Sequence, residues 1–420
     1  MFDNKSQNIT IYDDEQDLIF PGRMELLKDL KQSEKAKGKH PYTLIHISVD
    51  NYHDISDYFG IDVSKELMLQ LSFWLKARLL TRNTKLYRFE MDKFAIFLSS
   101  RTTIKEINNY VNMLISNITK QSFYFDERLY NLRVSIGVAR GRVDLFKRSY
   151  LALNHVLKTD KSYFIYNPKD KVEEKFLNNI RMHQQVKDAI EQGRVMALFQ
   201  PIYDPKSNQI VKYEALIRII NTDGTYIMPD SFLDIAKQVR LYTQLTKIMI
   251  DNILEKLLEY KKPVSINLSM EDINSQDVRN YIFHKVKESK LAELITFEIV
   301  ETKQITSYVK ILSFMRRMRS IGCKFALDDF GSGFSNFEYL LKLDIDYLKI
   351  DGSLIKNINY SKKNEALVQS VISFAQNLGM KTIAEYVSTK AIYDKVNSLG
   401  VDYMQGYYIG RAKSLSWYNG

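Results

Sequence analysis

The sequence predicts an α/β protein in which an α/β sandwich is followed by a (βα)8-type, TIM-like barrel. Two observations favour this architecture. Helices and strands alternate within one block of about 130 residues after Tyr42, and beyond residue 170 short apolar strands recur with helix-length stretches between most of them. An open, doubly wound sheet is the alternative fold for the second block.

The composition excludes several classes of protein. The chain has 420 residues, of which 45% are hydrophobic and 26% charged, as in ordinary globular proteins. Its one cysteine, Cys323, permits no internal disulfide, which fits a reducing, cytoplasmic compartment. No export signal opens the chain, and no apolar run approaches the roughly 18 residues of a membrane span. The net charge of +10 comes from thinly spread lysines, so we expect neither membrane nor nucleic-acid partners.

The first block reads as a lead-in followed by one domain. Residues 1 to 38 form a polar lead-in that ends in a helix, Arg23 to Lys35, and residues 39 to 170 form the predicted domain. Its elements are predicted to be the strand Tyr42 to Val49, the helix Ser64 to Leu80, the strands Lys85 to Arg88 and Phe94 to Ser99, the helix Ile104 to Thr119, the strand Asn131 to Ala139 and the helix Phe146 to Lys158. A helix from Glu173 to Gly193 then opens the second domain, residues 171 to 420.

Three stretches of the first domain resemble the GGDEF domain of diguanylate cyclases. They are Ile47-Ser-Val-Asp-Asn-Tyr-His-Asp-Ile-Ser-Asp57, Arg88-Phe-Glu-Met-Asp-Lys-Phe94 and Val134-Ser-Ile-Gly-Val138. The departures from the family pattern concern the reaction itself. Glu90 and Met91 replace the two glycines that let the backbone approach a triphosphate. Ser48, Lys93 and Ser56 stand in place of a metal-binding Asp, the signature Glu and a guanine-reading Asn.

The resemblance therefore implies a degenerate GGDEF domain without cyclase activity. Two roles stay open for it. It either acts as a regulatory module that pairs protomers in a homodimer, or it still binds GTP through Asp50, Asp57 and Asp92. Neither role requires synthesis of cyclic di-GMP.

The second domain supplies the strands of the predicted barrel. These strands are Ala197 to Ile202, Ile210 to Ile217, Val264 to Leu268, Thr296 to Val300, Lys324 to Leu327, Tyr347 to Ile350, Lys381 to Ala384 and Tyr403 to Gln405. The connection between the first two is Asp204-Pro-Lys-Ser-Asn-Gln209, which is too short for a crossover helix. We therefore expect these two strands to form an antiparallel hairpin within the barrel.

Polar residues stand at the ends of seven successive strands of this barrel. They are Glu214, Asn267, Glu298 with Glu301, Asp328 with Asp329, Lys349, Glu385 and Gln405. Asp328 and Asp329 raise each other's pKa unless a cation neutralises the pair, although a turn that caps the next helix is the alternative interpretation. Burying several acids together costs several kcal/mol unless cations offset the cost. Oxygen donors without His or Cys select Mg²⁺, Mn²⁺ or Ca²⁺, and two such ions suit in-line displacement at phosphorus.

The ordered set of motifs resembles the EAL domain, the family of cyclic di-GMP phosphodiesterases. The matching stretches, within residues 175 to 418, are Phe199-Gln-Pro-Ile202, Glu214-Ala-Leu216, Asn267-Leu-Ser269, Glu298-x-x-Glu301, Asp328-Asp-Phe-Gly-Ser-Gly333, Leu348-Lys-Ile-Asp351, Ala384-Glu385 and Gln405-Gly-Tyr407. The resemblance implies hydrolysis of cyclic di-GMP to linear pGpG with two Mg²⁺ or Mn²⁺ ions per site. The implied ligands of one ion are Glu214, Asn267, Glu298 and Asp328, and those of the other are Asp328, Asp329 and Glu385.

The resemblance also implies the remaining roles at the site. The catalytic set is Lys349, Glu385 and Glu301, where Lys349 would contact the attacking water and Glu301 would anchor the loop Phe330 to Asn336. The implied substrate-binding residues are Gln200, Arg218 and Gln405.

Two departures from the EAL pattern follow Glu385. Tyr386 and Ser388 stand where the family has the Gly and the second Glu of Glu-Gly-Val-Glu. Neither residue is an implied metal ligand, so the ligand set is complete. The departures nevertheless leave an alternative function open, namely a catalytically weak or inactive cyclic di-GMP receptor or protein-interaction module.

Overall fold

The computed structural model describes residues 20–36, 40–99, 101–300, 308–331 and 342–419. The chain divides into two compact units, Met1–Asn178 and Asn179–Gly420. Among the helices in the described ranges, none is both long enough and apolar enough to cross a membrane.

The first unit is built on a five-stranded sheet with the order β2-β3-β1-β6-β7. Its elements in chain order are α1 (Arg23–Lys35), β1 (Tyr42–Val49), α2 (Tyr52–Phe59), α3 (Ile61–Lys76), β2 (Thr84–Glu90), β3 (Lys93–Leu98), α4 (Ile104–Lys120), β4 (Ser122–Phe125), β5 (Arg128–Asn131), β6 (Val134–Gly141), α5 (Leu145–Val156) and β7 (Tyr163–Ile165). Strand β1 pairs antiparallel with both β3 and β6, and β7 pairs parallel with β6. The predicted α/β character of this unit is confirmed.

Both faces of this sheet are buried. Because successive side chains on a strand point to opposite faces, β1 supplies residues to two separate apolar clusters. Ile45 and Ile47 pack with α3 and α4 on one face, whereas Leu44 packs with Leu26 and Leu30 of α1 on the other. Helix α1 thus contributes to the core of the first unit.

Four short elements of the first unit, one helix and three strands, were not predicted. Helix α2 is separated from α3 by Gly60, whose φ of +97° interrupts the helical pattern. The hairpin β4–β5 turns through Asp126 and Glu127 at positive φ, without the glycine or asparagine that usually marks such a turn. Strand β7 has three residues, too few for a periodic pattern.

The second unit contains a closed eight-stranded barrel. Helix α6 (Val172–Glu191) contains the boundary between the units. The elements that follow are β8 (Val195–Asp204), β9 (Gln209–Ile220), β10 (Tyr226–Ile227), α7 (Pro229–Gln238), α8 (Tyr242–Tyr260), β11 (Val264–Leu268), α9 (Met270–Asn274), α10 (Gln276–Ser289), β12 (Ile295–Val300), α11 (Tyr308–Arg319), β13 (Lys324–Phe330), β14 (Tyr347–Ile350), α12 (Gly352–Ile355), α13 (Lys362–Asn377), β15 (Lys381–Ala384), α14 (Lys390–Ser398) and β16 (Tyr403–Gln405).

Strand β8 closes the barrel. The order is β9-β11-β12-β13-β14-β15-β16-β8, and β8 pairs again with β9. Strands β9 and β11 to β16 are parallel to one another, whereas β8 is antiparallel to both of its neighbours. The predicted barrel and its initial hairpin are therefore confirmed, and the open sheet is excluded. The two-residue strand β10 pairs with the end of β9, outside this ring.

The alternation of side chains along the strands positions the functional site. Phe297 on β12 and Phe325 on β13 point outward and pack against Phe314 of α11, with ring centroids 5.8 and 6.2 Å from that ring. Glu298 follows Phe297 by one residue and Asp328 follows Phe325 by three. Because side chains alternate between the two faces of a strand, Glu298 and Asp328 point into the barrel. Apolar outer faces hold the helices on the barrel, and the polar residues are left for its interior.

We expect Gly137→Ala to destabilise the first unit strongly. A Cβ atom at Gly137 on β6 would lie 2.1 Å from the backbone nitrogen of Leu153 and 2.4 Å from the carbonyl oxygen of Ser149, both on α5. Because backbone atoms cannot move aside locally, the helix must shift, and we expect a loss of about 3 kcal/mol in the free energy of unfolding. The measurement is denaturant unfolding of the full chain.

The matched control is Gly141→Ala on the same strand. The nearest atom to a Cβ there is the Arg148 Nη1, at 3.7 Å, which is ordinary contact with a flexible side chain. This control should change the free energy of unfolding by less than about 1 kcal/mol. Equal effects of the two substitutions would show that the contact between β6 and α5 is not tight.

Candidate active site

A buried lysine at the carboxyl end of the barrel is surrounded by four carboxylates. The Nζ atom of Lys349 on β14 lies 2.6 Å from Glu298, 2.8 Å from Glu385, 3.0 Å from Asp328 and 3.6 Å from Glu214. Lys349 is 1% exposed and Glu298 is fully buried. These acids come from β9, β12, β13 and the residue after β15, so the parallel register of the barrel brings them together.

Amide side chains hold the carboxylate of Glu214. Asn267 Nδ2 donates to one of its oxygens at 2.6 Å, and Gln405 Nε2 donates to the other, also at 2.6 Å. Gln405 Nε2 also lies 3.2 Å from Gln200 Oε1, and Gln200 in turn donates to the carbonyl of Gly410 at 3.1 Å. Glu214 is therefore fixed from both sides, and Gln200 is part of the same network.

A second group of acids lies beside Lys349. Asp328, Asp329 and Glu385 each offer a carboxylate oxygen within 4.8 Å of the others. Asp329 and Tyr386, the residues that follow Asp328 and Glu385, both have left-handed backbone conformation, with φ of +58° and +57°. A residue other than glycine pays about 1 kcal/mol or more for this conformation, and such strain concentrates at functional sites.

Burial raises the pKa values of three carboxyl groups in the cluster. It raises the pKa of Glu385 to about 8 and that of Glu298 to about 7, in both cases against the attraction of Lys349. Burial, reinforced by the charge of Asp328, raises the pKa of Asp329 to about 6. These acids retain protons at a pH where exposed carboxyl groups have lost theirs.

Lys349 and Glu214 keep their charges in the same surroundings. Burial by itself would lower the pKa of Lys349, but Asp328, Glu214 and the other nearby acids raise it well above its ordinary value. Burial would likewise raise the pKa of Glu214, but Lys349 and the two amide donors lower it. The site thus contains one firmly held cation among more acids than it can neutralise.

The donor set fits hard divalent cations. All candidate ligand atoms are carboxylate or amide oxygens, which suit Mg²⁺ and Mn²⁺. Within the described ranges, Glu298 Oε1 and Gln405 Oε1 are buried without a hydrogen-bond donor. A buried acceptor of this kind calls for a partner, which a cation or its bound water would supply.

The structure places the predicted site residues in three categories. Those it brings together around Lys349 are Gln200, Glu214, Asn267, Glu298, Asp328, Asp329, Glu385 and Gln405. Arg218 lies four residues beyond Glu214 on β9, and its guanidinium donates to the carbonyl of Ile217 at 2.8 Å. Glu301 lies outside the described residues, as does most of the loop that it was predicted to anchor.

Sequence reasoning missed a second buried lysine beneath the cluster. Lys212 is 5% exposed, and its Nζ atom lies 3.8 Å from the centroid of the Tyr347 ring. In the part of the chain described, its ammonium has no hydrogen-bond partner, and burial lowers its pKa to about 8. The sequence feature that could have identified Lys212 is its position two residues before Glu214, which puts both side chains on the inner face of β9.

Two cavities adjoin the acidic cluster. The first, of about 570 Å³, reaches Asn267 and Asp329 and continues between α7 and α8 past Lys237. The second, of about 430 Å³, reaches Glu385 and continues past Tyr386. Because each cavity is lined by different members of the cluster, one bound molecule could extend from the acids into both.

The comparison with known families decides the identity of the second unit. The EAL domain family model matches residues 183–412, more than half of the chain. The chain belongs to the EAL domain family. A second model, described as diguanylate cyclase, GGDEF domain, matches residues 20–154, so the chain has the GGDEF–EAL tandem order.

Curated relatives of this EAL protein include two bacterial enzymes. It is 28% identical over 402 residues to the cyclic di-GMP phosphodiesterase PdeB of Shewanella oneidensis, a match that covers 92% of this chain and 46% of the relative. It is 24% identical over 404 residues to the cyclic di-GMP phosphodiesterase PdeF of Escherichia coli, a match that covers 93% of this chain and 53% of that relative. The chain thus spans about half the length of the curated relatives it matches.

A solved structure shares the fold of the tandem. The S helix-GGDEF-EAL part of LapD from Vibrio cholerae, bound to c-di-GMP, is 16% identical with a TM-score of 0.52, and the match covers 94% of this chain and 95% of that one. At this identity the likeness shows the fold alone.

We expect divalent cations to displace protons from this site. Because the pKa values of Asp329, Glu298 and Glu385 are about 6, 7 and 8, a cation that binds them must release protons below pH 8. The apparent affinity for Mg²⁺ should therefore rise between pH 6 and pH 8, by up to about tenfold per pH unit for each proton displaced. Titration calorimetry in buffers of different ionisation enthalpy measures both quantities.

The same shifts fix the sign of the stability change with pH. Between about pH 4.5 and pH 8 these three acids bind more protons in the metal-free folded protein than in the unfolded chain, so their contribution to stability falls as the pH rises through this range. Added Mn²⁺ should consequently raise the melting temperature more at pH 8 than at pH 6. A metal affinity that does not change with pH would contradict the protonated state of these acids.

Proposed function

We propose that the second unit hydrolyses cyclic di-GMP to linear pGpG with Mg²⁺ or Mn²⁺. The observation that carries the proposal is the convergence of Glu214, Glu298, Asp328 and Glu385 on Lys349 at the carboxyl ends of the barrel strands. This end of a barrel is where such folds carry their chemistry. The naming of two relatives as cyclic di-GMP phosphodiesterases supports the substrate.

The acids divide into two overlapping ligand sets. Glu214, Asn267, Glu298 and Asp328 would hold one ion, and Asp328, Asp329 and Glu385 would hold the other. When bound, the ions supply charge neutralisation at the phosphoryl oxygens and acidify the attacking water. The amide clamp on Glu214 keeps its carboxylate oriented for this role.

Lys349 would position the attacking water. Its ammonium has three N–H donors and contacts four carboxylates. If bound metal ions neutralise these carboxylates, one N–H donor of Lys349 would be available to a water molecule. Gln405 and Gln200 lie next to the second cavity, where they would contact the substrate. Arg218 would bind a phosphate, and Glu301 would anchor the loop after Phe330.

The two cavities support a dinucleotide substrate. A cyclic dinucleotide has two nucleotide halves joined by two phosphodiester bonds. The cavities of about 570 and 430 Å³ meet the acidic cluster at different residues. One half in each cavity would place a phosphodiester bond beside the acids, which satisfies the need to position the reacting atoms.

We also propose that the first unit makes no cyclic di-GMP and acts as a regulatory or dimerising module. Its β2–β3 turn carries the side chains of Glu90 and Met91, and Met91 is 62% exposed. The ammonium of Lys93 contacts the Glu90 carboxylate and lies 3.9 Å from Asp92. A lysine beside Asp92 supplies the positive charge that a metal ion would otherwise bring.

We expect Asp329→Asn to lower the rate of pGpG formation by about 10²-fold or more with cyclic di-GMP affinity retained. The substitution removes one charge from the second ligand set and leaves Glu214, Asn267 and Glu298 intact. The measurement is chromatography of pGpG with Mg²⁺ or Mn²⁺ supplied. The matched control is Asp277→Asn, at an 80%-exposed side chain on α10, which should leave the rate unchanged.

The same assay separates the enzyme from its rival. If the unsubstituted protein binds cyclic di-GMP but forms no pGpG with either metal, the hydrolase proposal is wrong and the receptor alternative holds. In that case Tyr386→Gly combined with Ser388→Glu tests whether those two departures caused the loss.

We expect incubation of the full chain with GTP and Mn²⁺ to give neither cyclic di-GMP nor pGpG, because the second unit would convert any cyclic di-GMP that formed to pGpG. The reason is that Glu90 and Met91 stand where two glycines would let the backbone approach a triphosphate, and that Lys93 contacts Glu90 and lies beside Asp92. Measuring pGpG formation with and without GTP then distinguishes the two proposed roles. A rate that responds to GTP indicates a nucleotide sensor, and a GTP-independent rate in a dimer, by analytical ultracentrifugation, indicates a scaffold. Cyclic di-GMP or pGpG formed from GTP alone would contradict the loss of cyclase activity.

A further inference from the structure

Tyr386 stands directly beside the acidic cluster in an unusual conformation. It follows Glu385, lines the second cavity and is 49% exposed. Its φ of +57° is one that a bulky side chain rarely adopts. The strained backbone therefore holds a large aromatic ring at a position next to a proposed metal ligand.

Gly352 makes room for this ring. A Cβ atom at Gly352 would lie 3.0 Å from the Cβ and 3.5 Å from the Cγ of Tyr386, so a larger residue would press on the tyrosine. Lys356, one helical turn further on, places its Nζ atom 4.1 Å from the ring centroid. The ring thus lies against the start of α12, with the ammonium of an exposed lysine over one of its faces.

We propose that Tyr386 is a stacking platform for one purine base of the substrate in the second cavity. This inference rests on the proposed cyclic di-GMP function and adds a specificity residue to it. An exposed cation over a tyrosine ring is worth a factor of about two to five in an equilibrium constant. A base stacked on an aromatic side chain is worth a factor of about 5 to 150. A guanine can therefore displace the ammonium of Lys356 from the ring.

The position of the ring relative to the acids agrees with this assignment. The second cavity is lined by Glu385 and Gln405 at the cluster and by Tyr386 and Tyr407 further out. A nucleotide whose phosphate lies at the acids would direct its base toward these rings. The ring of Tyr407 also lies next to a cation, since the Arg411 guanidinium is 4.3 Å from its centroid. The side chain of Tyr407 is more exposed than that of Tyr386.

The test compares aromatic and aliphatic side chains at position 386. Cyclic di-GMP binding is measured by titration calorimetry with Ca²⁺ in place of Mg²⁺, since its looser coordination suits binding without turnover. Tyr386→Leu should weaken binding by about fivefold or more, and Tyr386→Phe should stay within about twofold of the unsubstituted chain. The matched control is Tyr226→Leu, at a tyrosine of the same 49% exposure on β10, which should also stay within about twofold.

A reporter variant supplies a readout that altered packing alone would not produce. In Tyr386→Trp, a stacked guanine should quench the emission of the new tryptophan, and the quenching should follow the calorimetric binding curve. Thermal melting of each variant verifies that it is folded. Tyr386→Leu binding with unchanged affinity, or a Tyr386→Trp emission that ignores the ligand, would overturn the platform.

The test also distinguishes the platform from the reaction. Binding that depends on an aromatic residue at 386, without pGpG formation in Mg²⁺ or Mn²⁺, would reject hydrolysis and retain the platform. If Tyr386→Leu hydrolyses cyclic di-GMP and binds it with unchanged affinity, hydrolysis is retained and the platform is rejected. An unsubstituted chain that binds no cyclic di-GMP would reject both.

Discussion

The crowding of carboxylates around one ammonium is the constraint on which the rest of the second unit depends. Four acids contact Lys349 within 3.6 Å, and Asp329 lies beside two of them. Burial of that much like charge is expensive, and a single lysine offsets only part of it. The raised pKa of Glu385 follows from this burial and from the neighbouring acids, and the acceptor oxygen of Glu298 is left buried without a donor within the described ranges. The barrel tolerates this burial of like charge because apolar packing outside the strands holds them in register.

The fold was predictable because its signals are repeated. Apolar strands recur with helix-length stretches between most of them, so an error at one boundary did not change the assignment of a barrel. The same reasoning failed where an element was short or its turn carried no marker residue. Helix α2 and the strands β4, β5 and β7 have between three and eight residues each, and the β4–β5 hairpin turns through Asp126 and Glu127. Tertiary packing rather than local preference decides elements of this length.

The candidate site was predictable to the extent that it lies at strand ends. The polar residues that end successive parallel strands must meet at one rim, which is why Glu214, Asn267 and Lys349 were found together. Two features of the site depend on burial and backbone conformation, which the strand pattern does not report. Lys212 lies deeper in the barrel, and its position two residues before Glu214 does not by itself reveal that its ammonium is buried without a hydrogen-bond partner in the described part of the chain. The conformation of Tyr386 is equally hidden, because a residue name does not report its φ.

The antiparallel strand β8 has a consequence for the order in which the barrel can form. Strand β8 pairs with β9 in a local hairpin, but its other edge pairs with β16, the last strand of the barrel. Gln200 on β8 and Gln405 on β16, which are in contact, are 205 positions apart in the sequence. Contacts of such high sequence separation form late in folding, because the entropy cost of closing a long loop comes before the contacts stabilise the structure. On a ribosome, Glu214 would emerge with an incomplete amide clamp, and the barrel would have an open edge until β16 had been synthesised. The amide clamp on Glu214 is therefore completed by the last strand of the barrel, after all the strands that carry the acids.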